Sequence, residues 1–378
     1  HPDEEREACR PLRAGPAKKK KKNLGAQFGQ VNGWERPNYY GPVGASEDFD
    51  IKSRSFRRGP WWQYAVEEAK AVRNGVGLID ATAFTKHILK GPGATNFLNW
   101  FTCNRLPKVG RINLTYALTN HGTTRTEYTI VRNAEDSYYL VSAGAWSSYD
   151  ADYLRKAAED KVEEFGYVEI HDVTSQWGVF ALAGPKSRDL LKEIINDADV
   201  ETVLSNERFP WLSKKEIEIG MCPVNAIRVA YTGELGWELH HPIEMQNYLW
   251  DRLLLAGANY GLKLVGARAQ NWLRQEKSYR AFGTELGRDA TPLEADLSRF
   301  IDQEKDFFGT ETMTKIGVPT NCVTRLIQGP DDADPWGREA LYLSDGTKVG
   351  RLTSGGYSVV FGKSIGMGYV RPDLAIQG

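Results

Sequence analysis

The residues best suited to chemistry stand in the stretch R-V-A-Y-T-G-E-L-G-W-E-L, from Arg228 to Leu239. Tyr231, Glu234 and Glu238 surround two glycines in this otherwise apolar segment. One interpretation is a plain hairpin, because glycine-containing turns between apolar runs are common. The other is a binding turn, because a carboxylate taken out of water must be paired or must hold a ligand. The spacing alone leaves both interpretations open.

A further carboxylate, Glu127, lies in the segment L-T-N-H-G-T-T-R-T-E-Y-T-I, from Leu118 to Ile130. The polar glycine-containing junction at residues 120–122 predicts a hairpin, with Glu127 on its second strand. A carboxylate that faces a partly dry aromatic cavity can have a raised pKa and act as a general base. The alternative is an exposed strand residue paired with Arg125 or Arg132.

The composition excludes several classes of protein. The chain has 378 residues, of which 41% are hydrophobic and 26% charged, with a net charge of -1. This length predicts two or three domains, and the near-neutral charge argues against nucleic acid as a partner. No apolar run reaches the ~18 residues of a membrane helix. The four cysteines are widely spaced, which favours free thiols in a reducing compartment over a disulfide frame or a zinc site.

Sequence motifs for common cofactors are missing. There is no complete G-x-G-x-x-G, P-loop, G-x-S-x-G or H-E-x-x-H. His240 and His241 are adjacent, and neighbours on a strand point to opposite faces, so they make a poor metal chelate. The sequence therefore predicts no metal site, and any chemistry requires a bound carrier or a partner domain.

The elements that must position these residues are of mixed type. A helix is predicted from Pro60, at its first turn, to a stop at Gly75, and strands dominate residues 114–142. Short strands with glycine turns after Val323 predict a small β-barrel or sandwich. Residues 1–45 mix Gly, Pro and aromatics without a period and are expected to be irregular. Within them, Lys18–Lys22 is expected to be a solvated linker, with an anion-binding patch as the alternative. The predicted class is α+β with mostly antiparallel sheets.

The order of the motifs resembles the glycine-cleavage T-protein family of tetrahydrofolate-dependent aminomethyltransferases. It is most similar to the folate-binding half of dimethylglycine and sarcosine dehydrogenases, and the similarity covers roughly residues 1–378. The motifs that carry it are V-G-L-I-D-A-T-A-F-T-K (Val76–Lys86), the segment Leu118–Ile130, A-L-A-G-P-K (Ala181–Lys186), Y-T-G-E-L-G-W-E-L (Tyr231–Leu239), W-L-R-Q-E-K-S-Y-R-A-F-G (Trp272–Gly283), T-P-L-E-A-D-L (Thr291–Leu297) and T-S-G-G-Y-S-V-V-F-G-K-S-I-G-M-G-Y-V (Thr353–Val370).

The resemblance implies a three-lobed cloverleaf with folate in its central opening. Residues 1–45 would link to a catalytic domain that precedes this chain. Residues 46–305 would form two folate-binding lobes, and residues 306–378 a C-terminal β-barrel. Members of the family continue beyond the final G-Y-V with further strands, so an incomplete barrel is an open expectation here.

The resemblance also assigns roles to single residues. Glu238 would accept the N–H donors of the pterin edge, a charge-assisted contact, and Tyr231 would line the folate site. Glu127 matches the family's central carboxylate and would be the catalytic base. Phe84 would touch the cofactor ring, with a plain core residue as the alternative, and Glu234 is expected at a solvent-exposed turn.

Two positions depart from the T-protein pattern. Gln270 stands where the family has an arginine that reaches folate, and Ser142 where it has an asparagine. Both changes favour the dehydrogenase-like branch. They leave open how the anionic folate tail is held, and Arg268 or Arg371 could be its electrostatic partner.

The implied function is tetrahydrofolate-dependent capture of the one-carbon unit released by oxidative N-demethylation, which gives 5,10-methylenetetrahydrofolate. FAD would act in a preceding domain or partner protein, on a small methylated amine. The alternatives are a formaldehyde-scavenging module of a metal-dependent demethylase and a non-catalytic regulatory homologue. The resemblance implies the cytoplasm of a bacterium or the mitochondrial matrix, and leaves open whether the chain forms homo-oligomers.

Overall fold

The structure is a computed structural model that describes residues 8, 10–45, 55–318 and 320–375. Expectations for residues 1–7, Cys9 and residues 46–54 and 376–378 lie outside these ranges. The helices are α1 (Lys18–Asn23), α2 (Trp62–Asn74), α3 (Ala94–Phe101), α4 (Ser147–Asp160), α5 (Val162–Phe165), α6 (Ser187–Ile194), α7 (Val200–Val203), α8 (Gln246–Gly257), α9 (Ala267–Glu276) and α10 (Thr310–Ile316). None of these helices is long and apolar enough to cross a bilayer.

The strands form two large sheets and two smaller ones. They are β1 (Ala26–Val31), β2 (Trp34–Tyr40), β3 (Gly77–Asp80), β4 (Thr85–Lys90), β5 (Ile112–Leu118), β6 (Thr124–Ala134), β7 (Ser137–Ser142), β8 (Glu169–Asp172), β9 (Trp177–Ala183), β10 (Lys214–Ile219), β11 (Cys222–Ile227), β12 (Gly236–Pro242), β13 (Lys263–Val265), β14 (Asn321–Leu326), β15 (Ala340–Tyr342), β16 (Lys348–Ser358) and β17 (Lys363–Val370).

The two large sheets carry the candidate site residues. One has the strand order β10-β11-β12-β9-β3-β13 and the other β5-β6-β7-β4-β8. The pair β3–β13 is parallel, whereas every other described pair is antiparallel. The predicted α+β class with mostly antiparallel sheets is therefore confirmed.

An apolar cluster joins the two large sheets. It combines Ile112, Val131, Tyr139 and Val141 of the five-stranded sheet with Ile227 of the six-stranded sheet. Burial of such side chains contributes roughly 25 cal/mol per Å² of apolar surface, which holds the sheets against each other. Residues that face this junction come from both sheets.

Several elements begin and end where the sequence predicts. In α2, Ala65, Ala69 and Val72 repeat at helical spacing and are buried, and Gly75 follows the last turn. Strands β5 and β6 form the predicted hairpin around Gly122, which has a positive φ of 74° that suits glycine. The three described cysteines, Cys103, Cys222 and Cys322, are free, as predicted, and they are also buried.

The expectation that residues 1–45 are irregular is wrong. Strands β1 and β2 pair as an antiparallel hairpin whose two-residue turn is Asn32-Gly33, both with positive φ. Asn-Gly is the typical sequence of such a turn, and Trp34 and Tyr39 bury the hairpin against the rest of the chain. These aromatic residues follow no period in the sequence, but they are buried and anchor the hairpin.

The expectation of a solvated linker at Lys18–Lys22 is also wrong. These residues form α1, in which Lys21 is only 1% exposed and forms an ion pair with Asp80 at the end of β3. Lys18 pairs with Glu35, and Lys20 with Asp251. A buried lysine requires a charged partner, and Asp80 provides one from a distant part of the chain.

The C-terminal sheet has the order β14-β17-β16-β15. A closed barrel requires pairing between the first and last strands, and among the described residues β14 and β15 are edges. The observed sheet is therefore open where the sequence predicted a barrel or sandwich. It packs on α9, where a Cβ at Gly356 would lie 2.3 Å from the ring of Trp272, so glycine permits the close approach.

Candidate functional site

Glu238 lies on the side of β12 that faces the other large sheet. Strand β12 runs between β11 and β9, and Glu238 is opposite Ile227 and Ala181. Because side chains alternate along a strand, Trp237 and Leu239 enter the core of the six-stranded sheet. Glu238 therefore points away from that core, and its side chain is 12% exposed.

A buried hydrogen-bonded chain lies behind Glu238. Its Oε2 is 3.1 Å from Nε2 of His240, and Nδ1 of His240 is 2.9 Å from the hydroxyl of Tyr139 on β7. Burial lowers the pKa of His240, so its ring is neutral near pH 7. We infer that Nε2–H donates to the carboxylate, and that Nδ1 accepts from Tyr139. These two hydrogen bonds fix one oxygen of the Glu238 carboxylate across the junction of the two sheets.

A narrow cleft with a volume of about 10 Å³ lies beside Glu238. Its lining includes Phe84, Tyr231, Trp237, Glu238 and Gln270. Three residues predicted from the sequence to bind the cofactor are thus brought to one place. Phe84 also packs against the apolar cluster that joins the sheets. It therefore contributes to the core and lines the cleft as well.

Tyr231 lies in the loop between β11 and β12, which form an antiparallel pair. The loop turns at Gly233, whose φ is 72°. The Tyr231 hydroxyl donates to the carbonyl of Arg280 over 2.8 Å, and its ring stacks on that of Tyr279. The segment is therefore a hairpin, as the plain interpretation requires, and it also presents Tyr231 to the cleft.

Glu127 is half-buried on β6, directly across from Tyr116 on β5. Burial raises its pKa to about 7, although the backbone N–H of Phe282 and the charge of Arg274 act to lower it. A carboxyl group with such a pKa exchanges protons near neutrality, as a general base must. Glu127 is paired with neither Arg125 nor Arg132, and Arg125 instead lies against Asp150 and the ring of Tyr149.

The charge of Glu127 acts on Tyr231. Burial raises the pKa of Tyr231, and the charge of Glu127 adds to this rise. Tyr116 behaves in the same way: burial comes first and Glu127 second in raising its pKa. Tyr231 therefore lines the cleft and also lies within electrostatic reach of the candidate base.

Glu234 departs from its expected place. Its side chain, 24% exposed, forms an ion pair of 2.5 Å with Arg73 on α2. Arg73 also pairs with Glu276 on α9, so Glu234 belongs to a buried charge network and is not a free solvent residue. The expectation of a solvent-exposed turn is wrong for this side chain.

The two arginines considered for the folate tail lie outside the lining of the cleft. The guanidinium of Arg268 is 3.9 Å from the ring centroid of Trp61. Arg371 is exposed and pairs with Asp373 over 2.8 Å. Ser142, the last residue of β7 in the five-stranded sheet, is buried and donates to Asp150 over 3.4 Å.

Sequence reasoning missed the support behind these residues. His240 stands two positions after Glu238, a spacing that places both on one face of a strand, so the pattern contained this signal. The contact with Tyr139 left no signal in the sequence, because Tyr139 comes from another sheet. No group of three or more His, Cys, Asp or Glu residues in the described ranges could hold a metal ion.

Comparison with known families gives two matches. The GCVT N-terminal domain matches residues 17–305, and the glycine cleavage T-protein C-terminal barrel domain matches residues 322–378. The second match covers the sheet that is open among the described strands.

Known proteins are similar over most of the chain. Mouse dimethylglycine dehydrogenase is 35% identical over 384 residues, which cover all of this chain and 43% of that protein. A probable aminomethyltransferase from Thermococcus kodakarensis is 31% identical over 84% of this chain and 85% of its own length. The crystal structure of the glycine cleavage system aminomethyltransferase T from Bartonella henselae shares the fold, with a TM-score of 0.79, 23% identity and coverage of 97% and 92%. The chain spans less than half of the dimethylglycine dehydrogenase.

Proposed function

The chain belongs to the glycine cleavage T-protein family, and from this premise we propose that it binds tetrahydrofolate and forms 5,10-methylenetetrahydrofolate from a one-carbon unit. The observation that carries the proposal is the convergence of Glu238 and Tyr231 on one cleft, with Glu127 within electrostatic reach of Tyr231. We also propose that the chain forms a cloverleaf of three lobes, with the cofactor in its central opening.

The residue types that line the cleft, which would have to widen from about 10 Å³, suit a pterin. Its edge carries N–H donors, and Glu238 provides a carboxylate whose Oε2 is held by His240 and whose other oxygen has no partner among the described residues. A charge-assisted contact is stronger than a neutral one. Phe84 and Tyr231 offer aromatic surfaces on which a flat ring can pack.

Tetrahydrofolate, when bound, supplies the nucleophilic nitrogens that take up the one-carbon unit. The residues of this chain bind and orient it, and Glu127 accepts a proton that leaves nitrogen during capture. A pKa near 7 leaves about half of the Glu127 carboxyl groups ionised at neutral pH, so the base form is available. Holding both reactants in one cleft adds the advantage of proximity.

We further propose that the one-carbon unit comes from a methylated amine, such as dimethylglycine or sarcosine. Its oxidation, with FAD as the electron acceptor, would take place outside this chain, in a preceding domain or a partner protein. The similarity to dimethylglycine dehydrogenase along the whole chain supports this source. The predicted role of Arg268 toward the anionic tail stays a prediction, because Arg268 lies outside the described lining.

Ligand binding is tested by titrating the chain with tetrahydrofolate and following tryptophan fluorescence, since the sequence has 11 tryptophans. Saturable quenching, followed by formation of methylenetetrahydrofolate from added formaldehyde faster than in free solution, is the expected result. Absence of saturable binding would reject the proposal and favour a non-catalytic homologue.

A further inference from the structure

A turn between α9 and the C-terminal sheet presents two backbone groups to the candidate site. The carbonyl of Arg280 accepts the hydroxyl of Tyr231 over 2.8 Å. The backbone N–H of Phe282 lowers the pKa of the Glu127 carboxyl group against the effect of burial. The position of this turn, residues 279–285, therefore affects both Tyr231 and Glu127.

A buried ion pair closes the turn on itself. Nη1 of Arg274 donates to Oε2 of Glu285 over 2.6 Å, and to the carbonyl of Tyr279 over 2.9 Å. The same Oε2 accepts the backbone N–H of Ala281 over 3.0 Å. The side chains of Arg274 and Glu285 are 2% and 0% exposed. The first and last residues of the turn are thus tied through one guanidinium nitrogen of Arg274.

The C-terminal sheet holds the other oxygen of that carboxylate. Oε1 of Glu285 accepts the hydroxyls of Thr353 and Ser354 on β16 over 2.6 and 2.5 Å. Ser354 in turn accepts Nη2 of Arg274 over 2.6 Å. Burial alone would raise the pKa of Glu285, but Arg274 and these hydroxyls lower it, so it stays ionised. A buried carboxylate satisfied in this way has one defined position.

We propose that Glu285 is a positioning residue, which the C-terminal sheet uses, through Thr353 and Ser354, to hold the 279–285 turn against Glu127 and Tyr231. The C-terminal sheet then contributes to the site without touching the cofactor. This inference goes beyond the proposed function. Of its tests, only the measurement of one-carbon capture rests on that function.

The charges around Glu127 decide how the test must be designed. Tyr116 on β5, Tyr231, Asp150 on α4, Arg274 on α9 and Glu285 all influence it. Replacing Glu285 itself would remove a negative charge, which acts on Glu127 directly and obscures the effect of position. Removing the two hydroxyls deletes no charged side chain, and the ion pair with Arg274 still favours an ionised Glu285. The double variant therefore separates the effect of position better than a replacement of Glu285 does.

The test compares the double variant Thr353→Val/Ser354→Ala with the unaltered chain. The Glu127 carboxyl is titrated by ¹³C NMR of glutamate labelled at Cδ, with its signal assigned by loss in Glu127→Gln. We expect the pKa of Glu127 to rise by about one unit, because the N–H of Phe282 is no longer held in place. The pH profile of one-carbon capture should move upward by the same amount.

Two controls separate position from general damage. Thr353→Ser keeps the hydroxyl and should leave the pKa of Glu127 as it is in the unaltered chain. Thr347→Val removes an exposed hydroxyl near the same sheet and should not change that pKa either. If the double variant does not fold, as judged by circular dichroism, Ser354→Ala alone carries the test. A folded variant with an unchanged Glu127 titration overturns the proposal. Because the titration needs no folate, its result is independent of whether capture occurs.

Discussion

Glu238 and His240 contact each other from the same face of β12, with 3.1 Å between Oε2 and Nε2. The second nitrogen of His240 is bonded to Tyr139 on the neighbouring sheet, so the carboxylate depends on both sheets for its position. A group fixed in this way loses little conformational freedom when a ligand binds. The pair therefore links the packing of the two sheets to recognition in the cleft.

Replacing Glu238 with glutamine should weaken folate binding by roughly 10- to 100-fold, since a hydrogen bond to a charged group contributes about 1.5 to 3 kcal/mol. Fluorescence titration of both proteins measures the ratio. The matched control is Glu218→Gln, an exposed carboxylate on β10 of the same sheet. Glu234 would be a poor control because it pairs with Arg73. Equal affinity in Glu238→Gln and Glu218→Gln would exclude Glu238 as the pterin acceptor.

Replacing His240 with phenylalanine should destabilise the protein by roughly 1 to 3 kcal/mol, because the buried hydroxyl of Tyr139 loses its partner. The double variant Tyr139→Phe/His240→Phe removes both polar groups and should recover part of that loss. Urea unfolding of the four proteins in this cycle gives the coupling energy. Strictly additive effects would show that the two side chains do not interact.

The local features of the site were predictable, whereas its cross-sheet contacts were not. Glu238, Tyr231 and Phe84 reach one cleft because each belongs to a motif whose order was informative. Tyr139 and Phe282 were invisible to the sequence, because their contacts join residues about a hundred or more positions apart. Position, not residue type, gives them their role.

The errors in the fold have similar physical causes. Lys18–Lys22 looked like a solvated run because its neighbours in sequence offer no carboxylate, and Asp80 supplies one only in the folded chain. The Asn32-Gly33 hairpin was a different case: its turn signal was present, and aromatic residues without a period concealed it. Propensity rules treat a segment alone, and tertiary partners override them.

Replacing Lys21 with methionine should destabilise the protein by roughly 3 to 5 kcal/mol, the usual cost of leaving a buried charge unpaired. Asp80 is the charge in question: burial would raise its pKa, but Lys21 lowers it below the ordinary value. Its stabilising effect is therefore present above the unfolded pKa of about 4, and is lost as the pH falls through the folded value.

Unfolding experiments at several pH values measure this dependence, with Lys19→Met as the control because Lys19 is exposed. The double variant Lys21→Met/Asp80→Asn should regain part of the stability. If Lys21→Met and Lys19→Met unfold at the same urea concentration, the ion pair does not anchor α1.

Replacing Glu127 with glutamine should reduce one-carbon capture strongly while folate binding changes little, because Glu127 is proposed to move a proton and not to hold the ring. General-base catalysis contributes typically about 10²- to 10⁴-fold in rate. In the unaltered protein, capture should rise with pH through about 7, the pKa to which burial raises Glu127, since only the ionised form accepts a proton. Glu127→Gln should lose this pH dependence.

Stability should change in the opposite direction to activity. Because the folded pKa of Glu127 is raised above the unfolded value, the folded state binds the proton more tightly, and this contribution is fully present below about pH 4.5. It is lost as the pH rises through about 7, where the carboxylate must be held ionised in a partly dry place. Glu127→Gln should therefore be more stable than the unaltered chain at pH 8, by roughly 1 to 3 kcal/mol, and the difference should shrink at pH 5. Urea unfolding at the two pH values measures both differences, and equal stability at pH 8 would contradict a raised pKa at this site.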